Sequence, residues 1–201
     1  MDAMKRYLGL TLGALLFLSG CEVMKPVDFE NTFPKFILES YFSGSTQATG
    51  IFEDRFGVVH RQFTVDIEGT WDGAELVLDE KFNYADGEKD QRIWTITKTG
   101  AHTYEGRAGD VVGIAKGEAY GNALNWHYDL NLKVSDTTVR VHFNDWMFLQ
   151  ANGVLINRAR VSKFGIEIGT VTLAFTKQLK PELATAPPVS EPRDAALSGG
   201  L

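Results

Sequence analysis

The side chains best suited to chemistry in this chain are charges standing where a folded protein would place apolar groups. Between residues 74 and 84, Leu76, Leu78, Phe82 and Tyr84 alternate along one face of an extended segment, and Glu80 shares that face. Arg92 aligns in the same way with Trp94 and Ile96, and Asp145 with Phe143 and Met147. Arg158 and Arg160 fall on the face that holds Val154 and Ile156. An unpaired charge in an apolar interior is strongly destabilising. These five groups are therefore expected to form an internal ion-pair network, with Glu80 and Asp145 facing Arg92, Arg158 or Arg160, or to meet the polar part of a ligand. General acid/base work by Glu80 or Asp145 is the enzymatic version of the same placement.

Other catalytic constellations are thin, and no catalytic residue is named beyond those carboxylates. His60, His102, His127 and His142 lie on four different extended segments, and none shows the helical i, i+4 spacing of a zinc pair. There is no Cys-x-x-Cys pair and no serine in a G-x-S-x-G elbow. Gly109, Gly113 and Gly117 recur within a strand and precede no helix, so they do not read as a phosphate cradle. They suit strong strand coiling or close backbone approach instead. No metal ligands and no cofactor are expected.

The second chemical position is Cys21, the single cysteine. Lys5 and Arg6 precede the apolar run Tyr7–Phe17, and Leu18-Ser19-Gly20-Cys21 follows it. The run is too short for a permanent helix across a hydrocarbon core, which takes about 20 residues, but it suits a signal peptide. The order of charge, apolar run, small residues and cysteine resembles the lipobox of bacterial lipoproteins. That resemblance implies cleavage after residue 20 and lipidation of Cys21. Glu22 follows it rather than the aspartate that commonly retains lipoproteins at the inner membrane. The expected location is the cell envelope, lipid-anchored at an outer membrane facing the periplasm.

The elements that must position the interior charges are strands. Period-two alternation predicts strands near 47–54, 58–69, 74–84, 91–98, 102–108, 111–120, 123–134, 138–149, 153–163 and 166–177. Asp72-Gly73, Asp86-Gly87, Gly121-Asn122, Ser135-Asp136 and Asn152-Gly153 mark the turns between them. Residues 36–42 suit a short helical turn. About ten antiparallel strands with short connections make an up-and-down meander, expected to close into a lipocalin-like all-β barrel, because closure removes exposed edges. A barrel of that size has room for one small ligand.

The domains expected are a signal peptide over 1–20, a lipidated tether over 21–35, the barrel over 36–179 and a disordered tail over 180–201. The tail from Lys180 to Leu201 holds four of the six prolines and only scattered small apolar residues. The 201-residue chain carries a net charge of −6, and removing residues 1–20, which hold Asp2, Lys5 and Arg6, leaves about −7. An acidic protein of this kind repels nucleic acid and anionic lipid headgroups, so no nucleic-acid partner is expected and membrane attachment is expected to come from the acyl chains rather than from a basic face.

Several stretches together resemble the domain-of-unknown-function 3833 family of Gram-negative lipoproteins. They are Gly50–Gly57, Arg61–Trp71, Asp110–Gly117, Gly121–Trp126, Asp145-Trp146-Met147 and Asn157-Arg158-Ala159. The resemblance implies lipoprotein status, no assigned activity and, from the genes such proteins neighbour, lipid handling. Gly69-Thr70-Trp71 is also similar to the G-x-W pattern of lipocalins, although it closes the second strand rather than opening the first. Three functional expectations follow. One is a membrane-anchored barrel that binds an apolar molecule, such as a fatty acid like palmitate or a phospholipid. Another is an enzyme or accessory factor in envelope lipid modification. The third is a structural or assembly partner presenting an apolar outer patch around Trp146, Phe148 and Val161.

Overall fold

The computed structural model describes residues 23–134 and 137–178. Cys21, the expected signal peptide, the expected tail and the Ser135-Asp136 turn lie outside the described residues. Ten strands run through the rest: β1 (Gly44–Asp54), β2 (Val59–Trp71), β3 (Glu75–Tyr84), β4 (Lys89–Lys98), β5 (Thr103–Arg107), β6 (Val111–Tyr120), β7 (Ala123–Val134), β8 (Thr137–Leu149), β9 (Leu155–Lys163) and β10 (Ile166–Lys177). Each pairs antiparallel with its chain neighbours, and β1 also pairs with β10, which closes the barrel. The fold is all-β, and among the described residues there is one short helix, α1 (Leu38–Phe42), and a 3-10 turn at Pro26–Phe29. Among the described residues all strand pairing lies within Gly44–Lys177.

The turn chemistry explains the short connections. Asp72 accepts backbone N–H groups of Ala74 and Glu75 at 2.8 Å each, and Gly73 takes φ +99. Gly87 and Gly153 adopt the same left-handed region at the other Asp-Gly and Asn-Gly pairs.

The two ends of the barrel differ. At the end bounded by the β2–β3, β4–β5, β6–β7 and β8–β9 turns, α1 acts as a plug. Phe36, Leu38, Tyr41 and Phe42 are buried there, with Phe42 edge-on to Phe175 at 5.6 Å between ring centroids. The Tyr41 hydroxyl donates to the Phe175 carbonyl at 3.1 Å. Gly69 lets the plug seat, because a Cβ there would lie 1.8 Å from the Phe42 carbonyl oxygen.

The middle is filled by aromatic side chains. Trp94 lies 6.0 Å from Trp126 and 5.4 Å from Tyr128, which stacks on Phe143 at 5.0 Å. Trp126 rests on Gly106 and Gly117, where a Cβ would come within 2.6 and 1.9 Å of its ring. Close approach is thus the role of Gly117, whereas Gly113, at φ +77, sits in the β6–β7 register shift between Val112 and Lys116.

Within the tether expected over 21–35, the stretch from Pro26 to Thr32 packs along the outer wall, while Val23 and Phe33 stay exposed. Phe29 lies 5.9 Å from Trp146 and 5.5 Å from Phe148. The Thr32 hydroxyl lies 2.7 Å from the Phe29 carbonyl and from Asn122 Oδ1, and accepts the Asn122 backbone N–H at 3.0 Å. The outer patch expected around Trp146 and Phe148 is therefore already covered by this chain's own segment. Val161 is not on it: its side chain faces the interior and is 2% exposed.

Gly117→Ala is expected to destabilise the barrel by about 1–3 kcal/mol or more, since overpacking against an indole ring cannot relax easily. Gly109→Ala, where a Cβ meets no atom within 4 Å, is expected to stay within about 0.5 kcal/mol of the parent. Urea unfolding followed by tryptophan fluorescence compares them. Equal midpoints would show that Trp126 does not depend on Gly117.

Candidate functional site

At the end opposite the plug, the inward-facing side chains lose burial. Phe52, Phe63, Phe82, Tyr84 and Phe143 are only half-buried, while most inward residues nearer the plug are buried, Trp71 and Met147 excepted. Phe63 lies 5.5 Å from Tyr84 and 6.1 Å from Phe82, and Phe82 stacks on Tyr84 at 6.2 Å. The result is an aromatic-lined mouth whose floor carries charge.

β3 and β4 place Glu80 and Arg92 as direct cross-strand partners on the inner face, 4.0 Å apart at their closest charged atoms. Arg92 also donates to both oxygens of Asp110, from Nε at 3.1 and 3.0 Å and from Nη2 at 2.7 Å. Its guanidinium lies 5.5 Å from the centre of the Phe82 ring. Asp145 enters from β8 and accepts the side-chain N–H of Asn157 on β9. Asn157 Oδ1 is buried without a partner among the described residues. Glu80, Arg92 and Asp145 thus face inward as their alternation implies.

Arg158 and Arg160 do not. On β9 the inward residues are Leu155, Asn157, Ala159 and Val161, and the two arginines point to solvent. Register explains the inversion: β8 pairs Asp145 with Ala159, so an inward Asp145 brings Ala159 inward and turns Arg158 and Arg160 out. Burying two further guanidiniums would cost more than leaving Ile156 at 36% exposure. The expected ion pairs of Glu80 or Asp145 with Arg158 or Arg160 are absent, and Arg160 lies 3.9 Å from Glu167 on the surface.

The sequence reading missed Asp110 and Tyr128. Asp110 sits in the β5–β6 turn, where alternation carries no facing information. Tyr128 shares the apolar face of β7 with Leu124, Trp126 and Leu130, yet it stands in the field of Asp145 and Arg92.

Electrostatics follow from this enclosure. Burial, with no cation beside it, pushes Asp145 from 3.8 up to about 7, although the Asn157 hydrogen bond opposes the rise. Burial raises Glu80 from 4.5 to about 7 as well; Arg92 opposes the shift, while Asp110 and Asp145 add to it. Burial also disfavours charge on Arg92, but Glu80 and then Asp110 outweigh it and hold its pKa above the ordinary value. The floor thus holds one permanent cation among three carboxyl groups, two of which take up protons near neutrality.

The outer wall carries different groups. His127 and His142 stack at 6.0 Å, and the His142 ring lies 2.9 Å from Asp129. A groove of about 540 Å³ runs beneath Met24, Lys25 and Pro26 and is lined by Lys116, Glu118 and His127 among others. It is broadly open, and its exposed charges are of both signs, so the demanding electrostatics lie inside the barrel. Among the described residues no group of three or more His, Cys, Asp or Glu side chains gathers as a metal site.

Residues 15–177 match a family model described as a protein of unknown function, DUF3833. No curated protein matches the chain.

The raised carboxyls make stability depend on pH. Below about pH 3 both are protonated whether the chain is folded or unfolded. Between there and about 7 the unfolded chain releases these protons and the folded chain retains them. Stability therefore falls as pH rises through that window. Asp145→Asn keeps an acceptor for Asn157 and cannot ionise. It is expected to exceed the parent in stability by about 1–3 kcal/mol near pH 8, and to converge with it at about pH 3. Denaturant curves across pH check this; parallel profiles would show that Asp145 ionises normally.

Proposed function

The chain belongs to the DUF3833 family, whose description assigns no activity, and we propose that its barrel binds an apolar, lipid-like molecule at the aromatic mouth. The observation that carries this reading is the half-burial of Phe52, Phe63, Phe82, Tyr84 and Phe143 directly above a partly buried ionic floor. Inward aromatics left partly in water at one end, while the other end is plugged, offer apolar surface to a ligand. The floor favours a tail over an anionic head. Arg92 is already engaged by Asp110 and Glu80, and the excess of carboxyl groups repels a further negative charge. A fatty acid or phospholipid would lay hydrocarbon against the rings and keep its headgroup at the rim.

Cys21 is the lipid anchor in this proposal. The charge, apolar run and small residues before it support secretion and acylation. The protein then works at an envelope membrane, on the periplasmic face of the outer membrane. A second reading rests on the pKa values near 7 of Glu80 and Asp145. Groups poised there suit general acid/base catalysis on a lipid substrate. Complementation of a deletion strain separates the two, since a binding protein with Asp145→Asn restores envelope lipids and an enzyme using Asp145 does not.

A chain beginning at Val23 is expected to retain lipid through purification, visible by native mass spectrometry. It should also bind a fluorescent fatty-acid analogue that palmitate displaces. Phe82→Ser is expected to weaken that binding on the order of tenfold, by removing one ring from the contact. Absence of retained lipid together with absence of displaceable probe binding would overturn the proposal.

A further inference from the structure

Two hairpins at the mouth end carry a feature that ligand binding inside the barrel does not use. The β1–β2 turn presents Phe56 at 76% exposure, and the β9–β10 turn presents Phe164 at 93%. Val58 and Ile166, beside them, are also more than half exposed. The hairpins are neighbours, because β1 pairs with β10 and the Arg55 backbone N–H donates to the Ile168 carbonyl at 3.1 Å.

Both tips are firmly built. Asp54 Oδ1 accepts the N–H groups of Phe56 and Val58 at 2.9 and 3.1 Å, and its other oxygen lies 2.8 Å from His60. Phe164 and Gly165 form a two-residue turn with φ +52 and +78. Such a turn favours asparagine or glycine at its first position. Phenylalanine there carries a backbone penalty and leaves a whole ring in water, so folding alone does not account for it.

The surroundings indicate what would cover these rings. Arg55 lies 4.8 Å from the Phe56 ring centre and Lys163 5.4 Å from that of Phe164. Neither cation forms an ion pair among the described residues, whereas Glu167 and Asp54 are engaged by Arg160 and His60. Two convex tips, each an aromatic ring with a cation beside it, suit a phospholipid surface: rings enter the interfacial layer while the cations meet phosphates. A protein groove would call for one continuous complementary patch, not two separate points.

We propose that Phe56 and Phe164 insert into the interfacial region of a phospholipid bilayer, with Arg55 and Lys163 on its phosphates, and dock the mouth end of the barrel on that surface. The docking is independent of what the barrel holds.

The test is co-sedimentation of the chain beginning at Val23 with vesicles of phosphatidylethanolamine and phosphatidylglycerol. The parent is expected to sediment with vesicles. F56S and F164S should each weaken partitioning on the order of tenfold, and the double variant should stay in solution. R55Q/K163Q should weaken it less, and mainly at low salt. Thermal melting and binding of the fluorescent fatty-acid analogue should be unchanged in the double variant, which separates this proposal from that for the interior. The proposal is overturned if the parent ignores vesicles, or if the double variant sediments as the parent does. It is also overturned if the tips instead mediate a concentration-dependent dimer, which would assign them to a second copy of the chain.

Discussion

The structure depends on the closure of one hydrogen-bonded ladder. Ala48 faces Val65 of β2 on one side and Phe175 of β10 on the other, and the same double pairing runs along β1. Once the ring is closed, alternation along each strand divides every side chain between a single interior and the outside. Filling that interior is then a geometric problem shared by all ten strands. The protein solves it unevenly: Gly106 and Gly117 thin the wall of β5 and β6, and Trp126 occupies the space they leave. Bulk is concentrated near the middle and the plug, which leaves the opposite end as an aromatic-lined mouth.

Closure also decides the fate of charge. A residue on an open sheet can reach solvent around an edge, but an inward residue of a closed barrel must find partners inside or reach the mouth. Arg92 is held between Glu80 and Asp110, so its guanidinium never stands alone. Asp145 has only the Asn157 amide, and it answers enclosure by holding its proton to about pH 7. Buried networks of this kind are weak sources of stability. Here the charges lie beneath half-buried rings at the open end of the barrel.

Strand architecture was readable from sequence because the signals are local and agree with one another. Ten alternating segments and their Asp-Gly and Asn-Gly turns map onto the ten observed strands with only small shifts of boundary. The inward placement of Glu80, Arg92 and Asp145 was readable for the same reason. β9 was not, because its apolar residues fall on both faces: Val154 and Ile156 suggest one side, Leu155 and Val161 the other. Only the β8–β9 register, a property of two strands, decides between them. Asp110 was hidden in a turn, where no period exists to betray its direction. The seating of Phe29 on Trp146 and Phe148 was hidden because a three-ring contact spanning more than a hundred residues leaves no periodic trace. Local pattern reports facing, and long-range contact reports partnership.

That seating changes how a lipid on Cys21 would act. A free fifteen-residue tether could reach about 50 Å at full extension and would leave the barrel almost unrestrained in orientation. With Pro26–Thr32 packed on the wall, the steps from Cys21 to Pro26, about 18 Å of chain at full extension, separate the anchor from the packed segment. An acylated protein then stays against the membrane surface and samples few orientations. The packed segment borders β5 to β7, whereas the two tips stand at the mouth end on the β1–β2 and β9–β10 hairpins, so the anchor assists the tips only as far as the intervening chain lets both reach the bilayer. Anchor and tips would thus divide the work physically, the acyl chains setting distance and the rings setting which end of the barrel meets the bilayer.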